Sequence, residues 1–249
     1  MYRILFFRPW PIVRSIFGIA LPVRIIIGFK GQWLPFLILV FAIVAVVFPW
    51  FKDLNFEDFQ GRTSLREEAL IKAGFGLFIV REVILFFSFF WCFFHSSLSA
   101  TIVLGRQWPP IGISIIPTFR VPLVNTVLLL LSGVSLTWAH HSLEDNKKTV
   151  SLALWLTIVL GFIFLILQVE EYSTSIFSIS DSVYGRIFFL ATGFHGAHVI
   201  AGGLFLTIVT SLKVIYQKKS LVFIFSAWYW HFVDVVWLFL FIRIYWWGR

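Results

Sequence analysis

Residues 74–97, GFGLFIVREVILFFSFFWCFFHSS, form an apolar run with a single carboxylate, Glu82, in its interior. From Gly74 to Phe94 the only charged residues are Arg81 and Glu82, and about 20 predominantly apolar residues is the length an α-helix needs to cross the hydrocarbon core of a bilayer. The run therefore predicts a membrane-spanning helix. A charge near the bilayer centre costs about 2.5–3.5 kcal/mol on insertion scales, so Glu82 has to be protonated, paired, or turned toward protein, water or lipid headgroups. Acids inside a membrane are functional by default, which makes Glu82 the leading candidate; the plainer reading is a carboxylate satisfied by a neighbouring helix or by Arg81. Adjacent helix residues point about 100° apart, so Arg81 is not expected to face Glu82, and the neutral acid is the expected form.

The rest of the chain agrees with a membrane setting. Of its 249 residues 59% are hydrophobic and 13% charged, against about 25% charged in soluble domains. The 31 Phe and 12 Trp suit a lipid-facing surface with indole rings at headgroup level. Cys92 is the one cysteine, which excludes an intrachain disulfide and a cysteine metal site. The net charge of +8 is scattered through short loops and not gathered on a face, so it reads as orientation charge, and no nucleic-acid partner is expected. The N-terminal MYRILFFRPWPIVR has Arg3 and Arg8 where a signal would need an apolar core, so no cleavable signal is expected.

Seven spans are predicted, giving an all-α integral membrane protein. The first, residues 12–29, carries Arg14 and Arg24; the second, 31–51, is free of charge and bounded by Trp33 and Trp50. Residues 52–72 form the most polar segment, where Ser64 and Glu67 have the spacing of a capping box ahead of a third helix starting near Leu65. The prolines at 109, 110, 117 and 122 exclude a continuous helix over 99–122. The remaining spans are placed at about Val121–His141, Val150–Val169, Tyr184–Leu212 and 223–247, with the Gly- and Ala-rich ATGFHGAHVIAGG leaving room for a neighbouring backbone or lipid. Seven crossings put the termini on opposite sides. Arg3, Arg8, Arg14, Lys52, Arg62, Arg66, Lys72, Lys147, Lys148, Lys213, Lys218 and Lys219 then share the N-terminal side, which the charge bias assigns to the cytoplasm or matrix.

The six histidines, His95, His140, His141, His195, His198 and His231, invite a haem or metal reading. Neither a matched pair of rings on two helices nor a converging ligand set is apparent, so no metal is expected. His195 and His198 are three apart on one helix face, as are His231 and Asp234, and each pair is expected to be a local hydrogen-bonded unit. There is no CxxC and no Gly-rich phosphate loop. No catalytic residue is assigned.

Four stretches carry a family resemblance: FFWCFFHSSLS followed by WPPIGI, NTVLLLLSGVSLTWAHHSLE, ISDSVYGRIFFLATGFHGAHVIAGG, and the terminal WYWHFVDVVWLFLFIRIYWWGR. They closely resemble subunit III of mitochondrial cytochrome c oxidase, and the likeness runs from FQG at 59–61 to the end. The resemblance implies one membrane domain in two bundles, a two-helix bundle over 12–51 and a five-helix bundle over 65–249, separated by a lipid-filled cleft. It implies a non-catalytic core subunit of respiratory complex IV that binds no haem or copper itself, those being held by partner subunits. Such a subunit packs mainly on subunit I, meets subunit II and accessory subunits, with respiratory supercomplex partners beyond, holds phospholipid and supports proton uptake during electron transfer from cytochrome c to oxygen. Location in the mitochondrial inner membrane follows, with the N-terminus in the matrix and the C-terminus in the intermembrane space.

Residue by residue, Glu82 falls on the family's buried third-helix glutamate, Glu171 on the acid of the segment after the fifth helix, and His195, His198, His231 and Asp234 on polar positions of the HGxH and HFVDVVW blocks. A lipid-binding role carries over to Trp50, Lys52, Glu57 and Lys213, and the polar collar adds Arg62 and Arg66. The rival readings are subunit III of a bacterial quinol oxidase and a stand-alone proton-coupled transporter using Glu82; a transporter would be expected to show internal repeats, and none is seen.

At Arg81, Arg186, Arg243 and Arg249 the family usually has a small or hydroxyl residue, commonly serine. Translation under the wrong mitochondrial code is one reading; genuine arginines that snorkel or pair are the other. Peptide mass spectrometry across residues 75–90 decides, and an arginine mass at position 81 removes the first.

Overall fold

The computed structural model describes residues 10–31, 34–59, 64–100, 105–145, 149–211 and 220–248. Among these every regular element is helical, with no strand: α1 (Trp10–Phe29), α2 (Leu34–Phe59), α3 (Leu65–Leu98), α4 (Val121–Glu144), α5 (Val150–Thr174), α6 (Ser182–Ser211) and α7 (Leu221–Leu240), the last continued by a π-helical segment, Phe241–Trp247. Contacts divide it into two units, Met1–Arg62 and Thr63–Arg249.

In the first unit α1 and α2 pack on each other. Gly31, at φ +90° where a side chain would strain the backbone, donates its N–H to the Gly28 carbonyl at 2.8 Å and closes α1. The second span was expected to stop at residue 51. It runs on to Phe59, because Lys52 to Phe59 contains no residue that breaks a helix and charged side chains are no obstacle once the helix leaves an apolar layer.

The second unit holds five helices long and apolar enough to cross a membrane, α3 to α6 and the continuous Leu221–Trp247. The capping box forms as the sequence predicts: the Ser64 N–H donates to Glu67 Oε2 at 2.7 Å, and the Glu67 N–H donates to Ser64 Oγ at 3.3 Å. Those two bonds satisfy donors that the first turn would otherwise leave bare. At 34 residues α3 is about 51 Å long, so it extends past a hydrocarbon layer of about 30 Å. Pro122, the last of the loop prolines, sits in the first turn of α4, where its missing N–H costs nothing.

α7 is the axis of this unit, packed against α3, α4 and α6. Trp230 and Trp237 are fully buried. Each indole N–H donates to a hydroxyl of α4, Trp230 to Ser132 and Trp237 to Thr126, both at 3.0 Å. The Trp230 ring fits because two glycines make way for it: a Cβ at Gly161 of α5 would stand 2.6 Å from its Cη2, and one at Gly202 of α6 would stand 2.9 Å from its Cε3. The room expected in the α6 glycine cluster for a backbone or lipid is thus taken, at Gly202, by a tryptophan from the same chain. α4 and α5 run antiparallel, joined by a buried Ser135···Thr157 hydroxyl pair at 2.7 Å. α5 and α6 are joined by Tyr172···Thr192 at 2.6 Å.

Candidate functional site

Three acids are buried in the second unit, and each is held differently. Glu82 sits midway along α3, with its side chain 11% exposed. Its Oε1 accepts from Arg81, Nη2 at 2.5 Å and Nε at 3.2 Å, which corrects the expectation that Arg81 points away. The helix does aim the two Cα–Cβ bonds apart, but the arginine stem is long enough to swing its head back across. The guanidinium also lies over the Phe78 ring, 5.1 Å from its centre. The unpaired acid of the sequence reading therefore gives way to an acid with partners on both oxygens.

The second partner comes from α6. His198 Nε2 is 3.2 Å from Glu82 Oε2, while His198 Nδ1 is 2.7 Å from the Phe194 carbonyl. A carbonyl only accepts, so Nδ1 carries a hydrogen and donates it. Nε2 and Oε2 can then bond only if a proton lies between them, on the imidazole or on the acid. One proton is held at this contact, which uses the oxygen of Glu82 that Arg81 does not reach. The surroundings are aromatic: Phe86, Tyr229 and Phe232 ring His198 at 5.1–6.2 Å between centres.

Glu171 was read as lying after the fifth helix. It lies inside it, because α5 continues five residues beyond Val169, and it is 3% exposed. The Tyr245 hydroxyl, from the π-helical segment, donates to its Oε1 at 2.6 Å, and Gln168 Nε2 does so at 3.4 Å. Neither Gln168 nor Tyr245 was selected from the sequence: Tyr245 belongs to an aromatic end that resembles an interfacial belt, and Gln168 is a lone amide in an apolar run. The one available signal was the spacing of Gln168 and Glu171, three apart on one helix face.

The remaining pairs differ from expectation. His195 and His198 do not bond to each other. His195 is fully buried against Phe164 and Trp237, at 5.6 and 5.2 Å between ring centres, and neither of its nitrogens has a hydrogen-bond partner. Three helical residues rotate the side chain by about 300°, enough to put one ring inside the α5–α7 core and the other against α3. His231 Nδ1 and Asp234 Oδ2 are 3.8 Å apart, within ion-pair range but too far for a hydrogen bond. Asp234 packs where Gly133 of α4 leaves space; a Cβ there would stand 2.7 Å from Oδ2.

His95, His140 and His141 are exposed, as are Lys52, Arg66 and Arg186. His140 stacks on His141 and lies 5.6 Å from the Phe223 ring. Arg243 covers the Phe94 ring at 5.5 Å. Arg62, Lys213 and Arg249 lie outside the described residues, as do the side chains of Trp50 and Glu57. Among the described residues no three His, Cys, Asp or Glu side chains converge as a metal site.

Comparison with known proteins follows the same direction. The family model described as "Cytochrome c oxidase subunit III" matches residues 1–249. Proteins named cytochrome c oxidase subunit 3 are similar over nearly their full length. That of Myxine glutinosa is 48% identical over 248 residues, covering 96% of this chain and 94% of the relative. That of Branchiostoma lanceolatum is 46% identical over 246 residues, with the same coverage. That of Anopheles gambiae is 45% identical over 254 residues, covering 99% and 97%.

Proposed function

Since the chain belongs to the cytochrome c oxidase subunit III family, and so is a multi-pass membrane component of an oxidoreductase complex with other oxidase subunits, we propose that it is a supporting subunit that carries no redox centre and assists proton supply. In this reading it packs laterally on subunit I, meets subunit II, and resides in the mitochondrial inner membrane with its N-terminus in the matrix. Haem and copper are then the partner subunits' and supply the electron transfer and oxygen chemistry. This chain contributes a fixed apolar wall and one proton-holding contact. The membership favours this reading over a quinol oxidase subunit or a free-standing transporter.

The observation that carries the proton role is the Glu82–His198 contact, where hydrogen-bond accounting requires a proton between Oε2 and Nε2. Reducing oxygen to water consumes protons, and a paired acid and imidazole can hold one near the surface of the partner subunit without taking part in the redox steps. Glu82→Gln keeps the side chain's shape and removes its ability to ionise. The assembled variant oxidase is expected to retain most of its electron-transfer rate, with the deficit appearing as reduced proton pumping or as activity lost during sustained turnover. Abolished oxygen reduction in a fully assembled Glu82→Gln enzyme would put the residue in the obligatory path instead.

A further inference from the structure

At the end of the five-helix unit where α4 begins and α5 ends, four side chains from three helices are buried with polar atoms that nothing reaches. Asn125 is fully buried with neither Nδ2 nor Oδ1 bonded; Gln168 Oε1, Glu171 Oε2 and both nitrogens of His195 are also without partners. That is six atoms on four residues. An unmet buried polar group is destabilising, and native cores leave few of them.

The helix register brings these residues within about two helical turns of one another. Ser135···Thr157 and Thr149→Ser142 fix α4 antiparallel to α5, which places Asn125 opposite about residue 167 at 1.5 Å of rise per residue. Tyr172···Thr192 and the packing of His195 on Phe164 fix α5 against α6, which places His195 opposite residues 164 to about 169. Trp237 links His195 to neighbours of the others from the α7 side. Its indole donates to Thr126, next to Asn125; its ring stands 5.2 Å from His195 and 5.8 Å from Tyr245, the residue that bonds Glu171. The segment between α3 and α4 closes this end, with the Thr118 hydroxyl donating to the Tyr245 carbonyl at 2.6 Å.

We propose that Asn125, Gln168, Glu171 and His195 line an internal site for ordered water, which bridges α4, α5 and α6 around Trp237. The mixture of groups selects the ligand. The Asn125 amide nitrogen and one imidazole nitrogen are donors, whereas the Asn125, Gln168 and Glu171 oxygens accept. A cation would satisfy only the acceptors and an anion only the donors. Water is the small neutral molecule that serves both, and buried waters make about three hydrogen bonds each. The site lies apart from the Glu82–His198 contact, and the inference stands or falls independently of the proton role given to that contact.

Two measurements test it on the intact oxidase. A density map that resolves ordered water elsewhere in the core of this chain is expected to contain at least one water within hydrogen-bond distance of two of the six atoms; a map of that quality with any other arrangement there overturns the proposal. The second uses Asn125→Leu, nearly isosteric and apolar. If water occupies the site, leucine expels it and strands the remaining acceptors, so the midpoint for thermal release of this chain falls by about 2–4 °C or more. A midpoint that holds or rises means that leucine removed an unmet amide from a dry core, and the proposal is wrong.

Discussion

Gly161 is a residue whose value is set by its neighbour. Alanine at an interior helix position is worth about 1 kcal/mol more than glycine in propensity, so in isolation Gly161→Ala would stabilise α5. In the folded chain the new Cβ would stand 2.6 Å from Cη2 of Trp230, a rigid ring that is fully buried and tied to Ser132. Overpacking of that kind costs about 1–3 kcal/mol, which outweighs the propensity gain. Gly161→Ala is therefore expected to lower the thermal midpoint of the subunit in the purified oxidase, and a midpoint equal to or above the native one would show that the ring can yield. The same scale explains Arg81 and Glu82, where side-chain length decides a pairing that the angle between their Cα–Cβ bonds argues against.

At the scale of the element, α3 depends on how it begins. Its first turn lies in the exposed segment before the apolar run: Ser64, Leu65, Arg66 and Glu67 are all exposed. The capping box restrains this first turn. Ser64→Ala removes the side-chain acceptor for the Glu67 N–H, at a cost of about 1 kcal/mol. The expected result is faster amide exchange confined to residues 65–68, with the membrane portion of α3 unchanged; exchange rates unaltered at Glu67 would mean that the cap contributes nothing. α7 presents the opposite case. It keeps its place by burial on most sides, and its π-helical continuation turns Tyr245 inward, where the hydroxyl meets Glu171 and the carbonyl meets Thr118. π-helical segments often mark functional positions, and here the segment ties α7 to α5 and to the loop before α4.

For the whole molecule, the Thr63–Arg249 unit owns a core built on Trp230 and Trp237, and among the described residues the fully buried aromatic rings all belong to it. A chain lacking residues 1–62 is therefore expected to keep the native emission of those buried indoles and native exchange protection in α4 to α7; loss of either would show that the first unit is needed for folding. The phospholipid association proposed for the family member makes a separate prediction. Lys52 and Arg66 are exposed beside long apolar helices, and a basic residue near a membrane surface contributes about 1 kcal/mol toward anionic lipid. Native mass spectrometry of the oxidase should find phospholipid retained with this chain, and complete delipidation without loss of the subunit would argue against a structural lipid.

Apolar length, proline positions and capping chemistry are local properties, and by themselves they determined the all-helical membrane class, the start of α3 at Leu65 and the non-helical stretch before α4. Four sequence blocks were enough to identify the family, because their polar and aromatic residues recur at fixed spacing. Helix ends were less legible: Lys52–Phe59 and the turn holding Glu171 are helical although polar, since leaving an apolar layer does not end a helix. Only the tertiary structure decided the partners of the buried groups. Which of two histidines three residues apart meets Glu82, where Tyr245 delivers its hydroxyl, and why Gly161 and Gly202 must stay small all depend on which neighbouring helix stands opposite. That is a property of packing between segments distant in the chain, 116 residues apart for Glu82 and His198, and no local pattern encodes it.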